Sequence, residues 1–175
     1  MRIVALLSVG DVGRSHLELL AEELAWRLRV ACSILAPSLD PSCAFNPLRG
    51  QYHSTELLKH LNQYASAESW RVLGVADVDL YIPILTYVFG EAQLRAPCAV
   101  VSMHRLRQEF YGMPNDPQIL ADRLLKESLH ELGHTQGLRH CPDYRCVMSS
   151  SYAVENIDLK LAEFCPSCAS AAEMR

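Results

Sequence analysis

The chain has 175 residues, of which 50% are hydrophobic and 21% charged, with a formal charge of −4. This is the balance of a globular domain and excludes a basic nucleic-acid surface as the main face. The apolar runs fall well short of the roughly 20 residues a membrane span needs, so neither nucleic acid nor a membrane is an expected partner, and the expected state is a monomer.

The opening stretch "MRIVALLSVG" sets one arginine before an apolar run, but Asp11 and Arg14 follow at once without a small-residue cleavage site. A first strand is therefore expected rather than an export signal, and with it a cytoplasmic location. After the loop "GDVGRS", Ser15 and Glu18 have the spacing of a capping box. Leu17, Leu20, Leu24 and Leu28 then repeat at helical spacing as far as Arg29. "VACSILA" makes a second strand, and strand–helix–strand predicts a parallel pair. Residues 37–53, with prolines, a glycine and Asn46, form a long loop of the kind that often carries function. A helix over 55–66 turns Leu57, Leu58, Leu61 and Tyr64 inward. "RVLGVADVDLYIP", "LTYVFGEAQ" and "CAVVSM" supply a third, fourth and fifth strand.

"NDPQILADRLLKESLHELGHTQG" is the longest helical segment, with Asp116 as cap, Pro117 in the first turn and Gly137 as the left-handed stop. Composition shifts after Gly137 towards cysteine, serine and polar residues. The expected organisation is a lobe over 1–137 holding a sheet, a backing helix and the long helix, and a small C-terminal lobe over 138–175. The class is α+β, with an α/β-like N-terminal part.

"HELGHTQGLRHC" ends the long helix. His130 and His134 stand four residues apart, so both rings project from one helix face. That spacing lets two imidazoles hold one zinc ion while Glu131 reaches a water bound to it. Gly137 turns the chain back so that His140 becomes the third ligand, which leaves the fourth position open, as in catalytic rather than structural zinc. The competing reading is a helix end with solvated histidines. His16, His53, His60 and His104 have no ligand-like partners in the sequence and read as surface or helix-face residues.

This stretch resembles the metzincin signature H-E-x-x-H-x-x-G-x-x-H, and Met148 of "CVM" resembles the methionine of the metzincin turn beneath the site. Cys141 directly after the third histidine, then Cys146, Met148 and "FCPSC", resembles more narrowly the archaemetzincins, a metzincin branch with a second zinc site. "GVADVDLYIPILTYVFGEAQL" is more loosely similar to that family's sheet region. The resemblance implies a metzincin-type zincin fold: a mixed twisted sheet, long backing and active-site helices, and a zinc-stabilised C-terminal lobe. It also implies a zinc metallopeptidase that hydrolyses peptide bonds of a peptide or protein substrate. His130, His134 and His140 would hold the catalytic zinc, Glu131 would activate the zinc-bound water, and Met148 would be the floor. "TYVFGEA" would be an edge strand that pairs with an extended peptide, and Tyr152 an oxyanion-stabilising candidate. The alternative function is a silent two-zinc binding or regulatory module.

Cys32, Cys43 and Cys98 are scattered, whereas Cys141, Cys146, Cys165 and Cys168 are clustered. C-x4-C followed by C-x2-C suits a structural zinc, the second ion of an expected two per chain. Two disulfides, or a redox motif at "CPSC", are the rival readings. A zinc here would restrain His140 through its neighbour Cys141 and replace the core that a small lobe lacks.

Overall fold

The computed structural model describes residues 2–172; Met1 and residues 173–175, the end of the expected C-terminal lobe, lie outside them. In chain order come β1 (Ile3–Val9), α1 (Arg14–Leu28), β2 (Ala31–Leu39), β3 (Phe45–Asn46), β4 (Gln51–His53), α2 (Ser54–Leu61) and β5 (Arg71–Ala76). They are followed by β6 (Leu80–Tyr81), β7 (Gly90–Ala92), β8 (Cys98–Ser102), α3 (Pro117–Thr135), α4 (Val154–Leu159) and α5 (Pro166–Ala171).

Alternation along the inner strands sets the architecture. Val4 and Leu6, Leu73 and Val75, and Ala99 and Val101 face one side, where they meet Leu17, Leu20, Leu24 and Leu28 of α1 and Leu120, Leu124, Leu129 and Leu132 of α3. The intervening Ala5, Leu7, Val9, Val72, Ala76, Cys98 and Val100 face the other side against Leu57, Leu58 and Leu61 of α2. A side-chain period of two thus loads both faces of one sheet. Fully burying each leucine contributes about 1.5–3 kcal/mol. Strand order is β2-β1-β5-β8-β7. The first four are parallel neighbours and β7 closes the edge antiparallel to β8. The mixed sheet with α1 and α3 on one face is the α+β architecture that the patterning predicts.

Three local expectations are revised. Helix α1 begins at Arg14 with Gly13 as its uncapped N-cap, so Ser15 has helical backbone and forms no capping box; Glu18 pairs with Arg14 instead, at 2.8 Å. The fourth strand shrinks to three residues, because residues 85–89 lead into it as an irregular segment in which Val88 bridges to Leu80. The loop over 37–53 contains a 3-10 turn and a short antiparallel pair, β3 with β4. This loop braces the irregular segment: Arg49 Nη2 donates to the carbonyls of Leu85 and Thr86 at 2.9 Å each, and Gln51 Nε2 donates to the Thr86 carbonyl at 3.0 Å.

Beyond α3 the chain folds back beneath that helix. Cys146, Val147 and Met148 are buried in the same apolar cluster as Leu129 and Leu132. Arg123 of α3, itself buried, grips both carboxylate oxygens of Asp158 on α4 at 2.7 Å each. Among the described residues no helix is long and apolar enough to cross a membrane.

Candidate active site

Helix α3 starts where the sequence says it should. The Asp116 carboxylate accepts from the backbone N–H groups of Gln118 and Ile119 at 3.0 and 3.1 Å, with Pro117 in the first turn. At the other end Gly137 adopts φ +91°, a conformation costly for any residue with a Cβ. Its N–H reaches the His134 carbonyl at 2.8 Å and the Leu138 N–H reaches the Gly133 carbonyl at 3.1 Å. This pair of bonds is a Schellman stop. It also does something for the site: the reversed chain presents the Leu138 carbonyl to His134 Nδ1 at 2.7 Å.

His130 Nδ1 meets the Val147 carbonyl at 2.8 Å. A carbonyl only accepts, so each Nδ1 carries the proton and each Nε2 is left with a bare lone pair. The two Nε2 atoms lie 3.1 Å apart, where two lone pairs repel unless a cation or a proton stands between them. His140 completes the group: its ring centroid is 5.2 Å from that of His130 and 5.0 Å from that of His134. Ligand atoms of all three lie within 4.8 Å of one another. Zn–N bonds of about 2.0–2.1 Å at tetrahedral angles imply nitrogens about 3.3–3.4 Å apart, so the donor set fits zinc. Burial holds all three imidazoles below the usual histidine range, His130 well below it. They are therefore in the neutral form that binds metal.

Glu131 is buried against β7. A Cβ on Gly90 would stand 2.8 Å from its Cγ and 2.9 Å from its Oε1. Burial raises its pKa well above the usual carboxylate value; Glu127 and Glu91 add to the rise, and Lys160 opposes it. Its carboxyl lines a cavity of about 320 Å³ together with His130, His140 and Glu127. The walls of that cavity are the segment from Leu85 to Gly90 and the segment from Ser150 to Tyr152. Met148 is fully buried beneath the helix, packed so closely that a Cβ on Gly133 would collide with its sulfur.

The four clustered cysteines also converge, with their sulfurs within 4.8 Å of one another. Cys141 Sγ and Cys165 Sγ are 3.8 Å apart. A disulfide needs about 2.05 Å, whereas the edge of a tetrahedron with Zn–S bonds of about 2.3 Å is about 3.8 Å. The spacing favours a metal over a bridge. The Cys165 N–H points at Cys146 Sγ at 3.3 Å. Hydrogen bonds, led by that from the Cys168 backbone N–H, lower the Cys165 thiol, whereas burial raises those of Cys141 and Cys168. The two groups are tied together: the Cys141 N–H donates to the Met148 carbonyl at 2.9 Å, and His140 precedes Cys141 directly.

Every residue singled out in the two motifs is thus brought into one of the two groups or against the first of them. His16, His53, His60 and His104 join no such group among the described residues; His53 stacks on Tyr81 and His104 meets Phe110 edge-on. The sequence did not reveal the Val147 and Leu138 carbonyls, because a backbone acceptor has no residue signature. Nor did it reveal Lys160, fully buried and paired with Glu127 at 3.3 Å. Glu127 was passed over too, although its place one helical turn before Glu131 on the same face is a signal that could have found it.

Residues 28–174 match the family model of peptidase family M54. The chain is 42% identical to the archaemetzincin of Methanocaldococcus jannaschii over 94% of its own length and 89% of that protein. Among solved structures it is similar to a zinc-dependent peptidase from Methanocorpusculum labreanum, with TM-score 0.87, 30% identity, and coverage of 96% of this chain and 98% of that one. It is also similar to the archaemetzincin of Archaeoglobus fulgidus complexed with malonate, with TM-score 0.83, 33% identity, and coverage of 97% and 99%.

Proposed function

The chain belongs to peptidase family M54, the archaemetzincins, and is a zinc metallopeptidase acting on a peptide or protein substrate; from that premise we propose how its residues divide the work. His130, His134 and His140 would hold the catalytic zinc, the first two offering their bare Nε2 atoms. When bound, zinc supplies Lewis acidity that polarises the scissile carbonyl and makes a water more acidic. The Val147 and Leu138 carbonyls fix the tautomers and ring planes of His130 and His134, so neither ring has to reorient to bind.

Glu131 is the general base. Its carboxylate takes a proton from the attacking water and hands it to the amine that departs. Burial raises its pKa, the direction that favours a carboxyl able to hold the proton it has taken. Strand β7, at the edge of the sheet, is where an extended substrate pairs its backbone, with the segment from Leu85 to Gly90 as the wall beside it. Cys141, Cys146, Cys165 and Cys168 hold a second, structural zinc, so each chain carries two ions. With zinc there, these four cysteines would tie together the small lobe that follows Gly137 and secure His140 through Cys141.

The observation that carries this reading is the pair of bare Nε2 atoms 3.1 Å apart with a buried carboxyl on the next residue. The test is Glu131→Gln. Its zinc content should equal that of the parent, while cleavage of a fluorogenic peptide panel falls by about 10²–10⁴-fold. Equal rates in parent and variant would instead indicate a metal-binding module without catalysis.

A further inference from the structure

Two walls flank the histidines, and they are joined above the cavity. Tyr87 Oη donates to the Tyr152 carbonyl at 2.6 Å, across 65 positions of sequence. Both residues line the cavity, one in each wall. Tyr152 is 81% exposed whereas His130 and Glu131 are buried, so the bond links the sheet side to the segment that follows Met148 on the solvent side of the cavity.

Both ends of this crossing are built. The Tyr87 ring lies under the Arg105 guanidinium, whose carbon is 4.1 Å from the ring centroid. Arg105 is gripped in turn by both oxygens of Asp79, at 2.6 and 2.7 Å. Phe89 meets the Tyr87 ring edge-on at 5.4 Å. On the far side, the backbone N–H groups of Tyr152 and Ala153 both donate to Asn156 Oδ1 at 3.1 Å, which ties the accepting peptide to α4. A phenol stacked on a charge-paired guanidinium has little rotamer freedom left to lose when its hydroxyl bonds. The crossing is a fixed beam.

A beam between the walls changes how a chain can enter. An open trench accepts a polypeptide sideways, including a loop whose two ends are held elsewhere. A roofed passage accepts only a chain threaded by one end. We propose that Tyr87 is a specificity-determining residue, and that its bond to Tyr152 restricts the site to linear segments with a free end. This rests on the peptidase reading. Short peptides and unfolded tails are the substrates that meet the requirement. A loop fixed at both ends, or a cyclic peptide, must first break the beam.

The experiment compares one peptide that the zinc-loaded protein cleaves with its head-to-tail cyclised form, in the parent and in Tyr87→Phe. The variant keeps the ring and its stacking and loses only the donor hydroxyl. The parent should prefer the linear form by at least about tenfold in kcat/KM, equivalent to about 1.4 kcal/mol, and Tyr87→Phe should reduce that preference several-fold. The change in ratio between the two proteins cancels the cyclic peptide's own stiffness. Fluorescence anisotropy with the same two peptides on Glu131→Gln, with and without Tyr87→Phe, reads the same selectivity without turnover. Equal cleavage or binding of both forms by the parent background overturns the proposal, as does a preference untouched by Tyr87→Phe. So does the absence of binding to either form. Preferential binding of the linear form that Tyr87→Phe relaxes, with no cleavage by any protein, would sink the peptidase mechanism and leave the beam standing.

Discussion

Replacing Lys160 by methionine tests whether the buried ion pair behind the site holds it together. The Lys160 side chain is 0% exposed and that of Glu127 4%, and their charged atoms are 3.3 Å apart; Ser151 Oγ reaches the same carboxylate oxygen at 3.4 Å. Methionine keeps the length and apolar stem but leaves Glu127 as an uncompensated buried acid. Breaking one side of such a pair costs about 3–5 kcal/mol. For a chain of this size each kcal/mol moves Tm by about 2–4 °C, so zinc-loaded Lys160→Met should melt roughly 6–20 °C below the parent.

The loss should also depend on pH. Burial already raises the Glu127 pKa, and Lys160 is the main opposing influence; without it the folded-state value climbs further. An acid whose folded pKa exceeds its unfolded value contributes stability that is fully present below the unfolded pKa and is lost as pH rises through the folded one. The deficit of Lys160→Met should therefore shrink as pH falls from 7 towards the ordinary glutamate value. Adding Glu127→Gln should recover most of it at neutral pH. Thermal melts across that window decide the matter. A loss under about 1 kcal/mol with the parental pH profile would refute the claim that these buried charges depend on each other.

Two further substitutions probe the neighbouring elements. Gly133→Ala should cost about 1–3 kcal/mol by overpacking, since its Cβ would strike the Met148 sulfur and stand 3.1 Å from Phe164 Cε1. It should also weaken zinc binding in a competitive chelator titration by about 10–100-fold, because the displaced turn carries the Val147 carbonyl that orients His130. Parental affinity and melting would mean that Met148 is not the floor of the site. Cys165→Ser should lower the zinc content by one ion per chain and make residues beyond Gly137 easy targets for limited proteolysis; unchanged stoichiometry would defeat the four-cysteine assignment.

The parts of the molecule readable from sequence are those where side chains carry the signal. The short apolar runs of "RIVALLSV" and "CAVVSM", leucines at helical spacing, and the Asp116–Pro117 and Gly137 punctuation each encode a local rule, and β1, β8, α1 and α3 form where those signals lie. The histidine and cysteine groups were legible because metal chemistry restricts both residue type and spacing. What stayed hidden depends on tertiary approach. The fourth strand is short because Arg49 and Gln51, remote in sequence, occupy the Leu85 and Thr86 carbonyls. Ser15 fails to cap because the preceding loop starts the helix two residues early, with Gly13 rather than Ser15 at the N-cap. The Tyr87–Tyr152 crossing and the Lys160–Glu127 pair join segments that nothing local connects.

The most direct measurement is anomalous diffraction at the zinc edge from crystals of the fully metallated protein. The account predicts one peak about 2.0–2.1 Å from a ring nitrogen of each of His130, His134 and His140, with Glu131 beside it, and a second about 2.3 Å from the four cysteine sulfurs. Density that leaves the three imidazoles without a shared peak while zinc occupies the cysteines would contradict it.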